Sequence, residues 1–374
     1  MTVYSSRPAL LLLNSLATGG SERKSVLVAA ALAREGWPVE LAYLNPPHDL
    51  APLLTGTLTP LHLARQHKFD PRVVWRLRQR LLTGNIGSVW SVNLYPVLYA
   101  ASALWGLPGR RLLCALNTST FSSRRDALKM VFYAPLLRRA DHLLFGCRSQ
   151  MAHWLTRYHL SGPHAEPLYN GVDASHFDPA LFIARRSELR AGFGLGPDDF
   201  VMGSVAQLRP EKNLGQLLDA AARLRATGVS VQLLMAGEGA ERPFLEERAR
   251  QLGLAGLLHL PGRIADVRPL LAALDVFVLP SIAVETFSNA ALEAMAMACP
   301  VILAMTGGAE EMITPGVDGF LFPSGDVEAL TDRLQVARKM GSETGSRARV
   351  TVQKYFSWET MLDHYRRLLF DRST

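Results

Sequence analysis

Two groups of side chains in this sequence are spaced for anion chemistry. Arg209 and Lys212 stand three residues apart in Gln207-Leu-Arg209-Pro-Glu-Lys212-Asn213, and Glu285 and Glu293 stand eight apart between Pro280 and Pro300. Each group lies where an apolar run gives way to a helical pattern. Cations before a helix face the positive end of its peptide dipoles, which is unfavourable unless an anion sits there, so Arg209 and Lys212 suggest a phosphate site. The two carboxylates lie roughly 12 Å apart at the helical rise, and closer if the loop folds back, a reach that suits the two ends of a diphosphate. Taken alone, they read as solvated charges beside a core helix.

The elements that must hold these groups read as strand, polar loop, helix. Asp275-Val-Phe-Val-Leu279 is an unbroken apolar run that Pro280 ends, since proline cannot extend a ladder. Ser288 or Asn289 can cap the following helix, whose Ala-Ala-Leu-Glu-Ala-Met-Ala run is built of strong helix formers. Upstream, a strand over Phe200 to Val205 precedes the Arg209–Lys212 turn and a helix with Leu214, Leu217, Leu218, Ala221 and Leu224 on one face. Strands over Val231 to Ala236, Leu257 to Leu260 and Val301 to Ala304 end in Gly237-Glu-Gly239, Pro261-Gly262-Arg263 and Thr306-Gly-Gly-Ala-Glu310. In open α/β sheets such strand ends gather around a ligand.

The first half opens as a βαβ unit: Leu10 to Asn14, the Gly19-Gly20-Ser21 turn, a helix over Lys24 to Glu35, and a strand near Pro38 to Leu44. Glycines let backbone approach a ligand, and Ser21 is placed to cap the helix. The turn lacks both the dinucleotide Gly-x-Gly-x-x-Gly and the P-loop Gly-Lys-Ser/Thr, which removes support from dehydrogenase and NTPase readings. Further segments near Ser88 to Asn93, Leu112 to Leu116 and Leu143 to Cys147 continue a parallel sheet. Turn chemistry at Tyr169-Asn-Gly-Val-Asp173 marks a junction, giving domains 1–170 and 171–355, with a terminal amphipathic helix that begins at Tyr355-Phe-Ser-Trp358-Glu and ends near Phe370.

Composition agrees with two folded domains. The chain has 374 residues, 48% apolar, and single cores stop growing near about 250–300 residues. Cys114, Cys147 and Cys299 are too dispersed for a disulfide framework or thiolate metal site. Arg7 ahead of Ala9-Leu-Leu-Leu-Leu13 mimics a signal peptide weakly, but the run stops at Asn14 and reads as a strand. No stretch approaches the roughly 18–20 apolar residues of a membrane span.

The net charge of +7 is uneven, with 19 Lys+Arg against 10 Asp+Glu in residues 1–178. Arg72, Arg76 and Arg80 recur at helical spacing among apolar residues and Trp75, and a second basic-apolar stretch covers Ser123 to Arg139. Such helices fit anionic membrane surfaces or an ordinary solvated face. No aromatic-basic motif of a nucleic-acid module is present.

Taken together and in this order, the Gly19-Gly20 turn, the Asn-Gly-Val-Asp run at Asn170, the Arg209/Lys212 pair and the Glu-x7-Glu element from Glu285 to Glu293 resemble the retaining GT-B glycosyltransferases of family 4. The resemblance covers nearly the whole chain. It implies an α/β architecture of two Rossmann-like domains facing across a cleft, with the terminal helix, residues 356–374, packing back on the first. It implies that Arg209 and Lys212 hold the donor diphosphate and act catalytically with Glu285, that Glu285 holds the transferred sugar, and that Glu293 holds the ribose. Thr286, Phe287, Ser288 and Asn289 would add donor contacts, as would Gly19 and Gly20, and the turn at Arg263 and Ile264 would lie near the base. Many relatives carry a His where this chain has Leu116-Asn117-Thr118, and Asn117 cannot act as a base.

By that resemblance the chain is expected to move a sugar from a nucleotide-diphosphate sugar, a UDP-sugar first among them, to a glycan or lipid-linked saccharide. Bacterial cell-surface polysaccharide or lipopolysaccharide synthesis is the expected setting. No cofactor, metal or nucleic-acid partner is expected. Asn117, Arg72, Arg76 and Arg80 fall on the acceptor or membrane side, and the expected location is cytoplasmic, peripheral on the inner face of the plasma membrane. A nucleotide-sugar 2-epimerase and a non-catalytic binding protein of the same fold are the competing readings.

Overall fold

The computed structural model describes residues 7–117, 128–162, 164–283 and 285–371. The chain forms two compact units, Met1–Leu168 with Met361–Thr374, and Tyr169–Thr360. Each is an α/β layer structure with an all-parallel sheet.

The first unit's strands are β1 Ala9–Ser15, β2 Val39–Asn45, β3 Leu61–His62, β4 Ser88–Val92, β5 Arg111–Leu116, β6 His142–Phe145 and β7 His164–Pro167. Their order is β3-β2-β1-β4-β5-β6-β7. The chain first builds outward from β1 to β2 and β3, then returns to β1's other side, so the order reverses between β1 and β4. The central strands read as continuous apolar runs because helices cover both faces of a parallel sheet. Leu10, Leu12, Val89, Cys114 and Phe145 accordingly enter one core with Val73, Leu77, Val97 and Trp154 from the helices on one face.

The other face receives the chain's last helix, Trp358–Phe370. From Met361 onward it belongs to this unit. Its apolar stripe places Tyr365 4.5 Å from Trp90 and stacks Phe370 at 4.9 Å on Trp37, by ring centroids. The Leu369 carbonyl accepts from Ser88 Oγ and Arg111 Nη2, both at 3.0 Å, and the Arg366 guanidinium grips Glu35. Glu166 on β7 holds the helix through His364, with Oε2 2.7 Å from Nε2, while its other oxygen faces His142 Nδ1 at 3.3 Å.

The second unit's strands are β8 Phe200–Val205, β9 Val231–Ala236, β10 Leu258–Gly262, β11 Val276–Leu279, β12 Val301–Ala304 and β13 Phe320–Phe322, in the order β10-β9-β8-β11-β12-β13. Here the order reverses between β8 and β11. Three short strands, β3, β7 and β13, go beyond the sequence reading. All lie at sheet edges; β3 is exposed and β7 half-exposed, and both carry little apolar patterning, while β13 is buried but only three residues long. Cys147, read as the end of a strand, instead caps the helix Arg148–Tyr158, its sulfur accepting from Gln150 N.

Candidate functional site

In doubly wound sheets the reversal of strand order opens a crevice beyond the carboxyl ends of the two strands. In the second unit those strands are β8 and β11, and the loops that leave them carry the two residue groups singled out above. β8 runs into the short 3-10 turn Pro210–Lys212, which Asn213 closes with φ 50°, a left-handed conformation asparagine tolerates. β11 stops at Leu279, ahead of Pro280, and the loop carries Ser281 and Glu285.

The two loops are stitched together. Lys212 Nζ lies 2.5 Å from Glu285 Oε2, and Ser281 Oγ donates to the same oxygen at 3.1 Å. Ile282 N donates to Glu211 O at 3.0 Å. The Lys212 and Glu285 side chains are 22% and 15% exposed, enough to meet a ligand while largely shielded from water. Arg209 is more open at 57%, its guanidinium 3.8 Å from Glu211, too long for a hydrogen bond. Its planar fork of donors stays available for a bidentate anion.

Glycine turns from the neighbouring strands brace this crevice. Gly307, at φ +57°, passes so close under the Glu285 loop that a Cβ there would stand 2.0 Å from Glu285 O, and Gly308 N donates to Thr286 O at 2.6 Å. Beyond β9, Gly237 and Gly239 press on the backbone of Ala206 and Leu208, where a Cβ would stand 1.8 and 2.2 Å from their carbonyls. Gly237 N donates to the carbonyl of Gly262, which turns the chain toward exposed Arg263 and half-buried Ile264.

The helix Asn289–Ala296 starts four residues after Glu285, which settles the choice of cap: Ser288 Oγ accepts from Ala291 N at 3.3 Å, while Asn289 is exposed. Glu285 is therefore a loop residue, and Glu293 lies half-buried in the helix's second turn. Phe287 turns its ring inward. Its ring is 3% exposed and packs with Tyr169 and Phe356 at centroid distances of 4.8 and 5.1 Å, so it fixes the loop from within rather than offering a surface. Asn170 adds a 2.6 Å bond from Nδ2 to Phe287 O, and Tyr169 OH donates to Glu311 at 2.8 Å. These anchors escape a sequence reading because they join positions far apart in the chain, Asn170 to Phe287 and Tyr169 to Glu311 among them.

Against known families, residues 18–176 match the model described as Glycosyltransferase Family 4 and residues 185–350 that described as Glycosyl transferases group 1. Glycosyltransferase models thus match both units, and the chain has the GT-B fold. It is 32% identical over 183 residues to the lipopolysaccharide core biosynthesis glycosyltransferase LpsE of Rhizobium meliloti, covering 48% of this chain and 52% of LpsE. It is 27% identical over 280 residues to the D-inositol 3-phosphate glycosyltransferase of Mycobacteroides abscessus, covering 71% and 62% of the two chains. The matches thus span little more than half the length of these curated relatives. Anabaena Alr3699/HepE, solved in complex with UDP, superposes with a TM-score of 0.85 at 21% identity, covering 97% of this chain and 99% of that one. HepE has also been solved in complex with UDP-glucose.

In this GT-B chain the remaining singled-out residues lie in the first unit. Gly19 caps the helix Gly20–Arg34 in extended conformation, so Ser21, expected as the cap, sits inside the first turn. The Glu22 carboxylate folds back over Gly19, where a Cβ would meet it at 2.3 Å. Asn117 follows β5, its backbone N donating to Asn93 Oδ1 at 3.2 Å, and Thr118 lies outside the described residues.

The three arginines expected to face a membrane are engaged within the unit. Arg72 pairs with Asp70 at 3.0 Å and holds its carboxyl well below the usual range, Arg76 donates to Leu63 O, and Arg80 grips Glu40 at 2.6 and 2.5 Å. Glu40 comes from β2, beyond any local sequence window. Among the described residues no cluster of His, Cys, Asp and Glu is set for a metal, and no helix is long and apolar enough to cross a membrane.

Proposed function

We propose that this chain is a retaining, metal-independent glycosyltransferase that moves a sugar from a UDP-sugar to a glycan or lipid-linked saccharide in bacterial cell-surface polysaccharide or lipopolysaccharide synthesis. The observation that carries the reading is the Lys212–Glu285 pair, which sets a cation and a carboxylate side by side at the β8/β11 switch point. The matched families, the UDP and UDP-glucose bound to HepE, and the lipopolysaccharide role in LpsE's name support it.

In this reading Lys212 and Arg209 face the donor diphosphate, Glu285 accepts hydrogen bonds from the transferred sugar and Glu293 from the ribose. The amide groups of Thr286 to Asn289 and the turn at Arg263 and Ile264 add donor contacts, with Gly19 and Gly20 read as further donor-binding residues and Asn117 as an acceptor-side residue. As the anomeric carbon–oxygen bond breaks, negative charge grows on the leaving diphosphate, and the two fixed cations stabilise it more than they stabilise the ground state. The acceptor oxygen bonds to the same face of the anomeric carbon, and its proton passes to a leaving phosphate oxygen. No protein base or metal takes part in that sequence. The enzyme works in the cytoplasm, peripheral to an anionic membrane.

The test is a donor panel read by melting temperature, followed by turnover. UDP and one UDP-sugar should raise the transition, by about 2.7 kcal/mol of stabilisation at a hundred times the dissociation constant. The product linkage should keep the donor's anomeric configuration by NMR. An inverted product removes the retaining mechanism, and unchanged turnover in a Lys212→Ala/Glu293→Ala variant removes the site. Release of UDP without glycosylated acceptor, together with an epimerised sugar, would instead identify a 2-epimerase.

A further inference from the structure

One face of the first unit is rich in cations. Between Asp70 and Asp141 the sequence holds eleven Lys and Arg against one acid, Asp126; Arg124, Arg125 and Asp126 lie outside the described residues, and Arg72 and Arg80 pair with Asp70 and Glu40. The helices Pro71–Thr83, Leu94–Leu104 and Met130–Leu137 belong to this span. Each joins a strand to the next in the same direction across the sheet, so right-handed crossovers put all three on one face.

On that face the helix Met130–Leu137 is apolar on both sides. Met130, Ala134 and Leu137 point into the core. Phe132, Val131 and the preceding Leu128 are 76%, 70% and 67% exposed, and Trp105, at the end of the neighbouring helix, is 63% exposed. A helix face this apolar is ordinarily covered by something. The cations beside it are not neutralised: Arg139 lies 4.2 Å over the Trp105 ring, and Arg138 donates to the carbonyls of His159 and Tyr158. Neither has an ion pair among the described residues.

We propose that this face, Leu128, Val131, Phe132 and Trp105 with Arg138 and Arg139, seats the protein on an anionic bilayer. The apolar side chains enter the headgroup boundary and the two guanidinium groups meet lipid phosphates. Exposed tryptophan beside arginine is suited to that boundary, with an apolar ring and a polar edge. The inference rests on the membrane part of the function proposed above and moves its contact from the helix of Arg72, Arg76 and Arg80, of which Arg72 and Arg80 are ion-paired, to the helix Met130–Leu137 on the same face, where Arg138 and Arg139 have no ion pair among the described residues.

The full chain should co-sediment with vesicles of equimolar phosphatidylglycerol and phosphatidylcholine, and not with phosphatidylcholine alone. Val131→Ser/Phe132→Ser and Arg138→Gln/Arg139→Gln should each weaken that binding about tenfold or more. The second variant should also flatten its salt dependence. Both should keep the wild-type melting temperature and UDP-induced shift, which exclude misfolding as the cause. Wild-type binding that both variants retain overturns this inference and leaves the membrane reading standing. A wild type that binds neither vesicle overturns both while leaving the donor chemistry untouched. Self-association of the wild type that Phe132→Ser abolishes, with no vesicle binding, makes the face a contact between copies of the chain and likewise overturns the inference.

Discussion

Lys212 and Glu285 are 73 residues apart in the chain, yet their side chains meet at 2.5 Å. The contact ties the loop after β8 to the loop after β11 and makes each charge the other's support. A carboxylate this sheltered is costly without its cation, and the cation is aimed by the carboxylate.

Lys212→Ala should therefore act twice. It leaves a largely shielded Glu285 with its hydroxyl bond from Ser281 but no ammonium, costing about 1–3 kcal/mol of stability. It should also slow donor turnover by about a hundredfold or more. Glu285→Gln keeps the volume and an acceptor for Ser281, so its melting temperature should fall less. Chemical denaturation alongside kcat/KM separates the two effects, and a Lys212→Ala enzyme turning over at the wild-type rate would contradict the assignment.

Gly307→Ala should disturb the same loop from beneath. The position has φ +57°, and its Cβ would stand 2.0 Å from the Glu285 carbonyl. Left-handed backbone alone costs about 1–2 kcal/mol in an alanine, and the clash must move one of the two loops. We expect a loss of at least about 2 kcal/mol together with a weakened UDP-induced melting shift. A variant with wild-type stability would show that the loops part freely.

Glu166 gives a pH signature for the terminal helix. Its contacts with His142 and then His364 hold the carboxyl at about 2, below its ordinary 4.5. A lowered folded value means that the ionised form stabilises the folded state above about pH 4.5, and that this contribution is lost as pH falls toward 2. With the side chain 35% exposed, solvent screening reduces the contribution to about 1 kcal/mol. Glu166→Gln should lie below wild type by a constant margin from pH 5 to 6 in urea denaturation, and the gap should close toward pH 3. A gap independent of pH would assign the loss to packing.

Much of the fold is legible locally. Strands β1, β8, β9 and β12 lie between helical layers and read as apolar runs, while the edge strands Leu61–His62 and His164–Pro167 are half in solvent and carry no such signal. Arg72, Arg76 and Arg80 show how far the local signal reaches. Their spacing puts them on one helix, but Glu40 and the Leu63 carbonyl, supplied by other segments, absorb two of them. Arg138 and Arg139, which have no ion pair among the described residues, lie two helices along the same face.

The sequence by itself determined the alternation of strands and helices and the presence of cations and carboxylates at strand ends. These follow from hydrophobic period, turn chemistry and helix propensity, which act over a few residues. Only the tertiary structure decided that Lys212 meets Glu285, that Phe287 turns inward to Tyr169 and Phe356, that Gly307 underlies the Glu285 loop, and that Phe132 faces water. Those destinations depend on the order in which strands join a sheet, and strand order is set by packing between segments far apart in the chain.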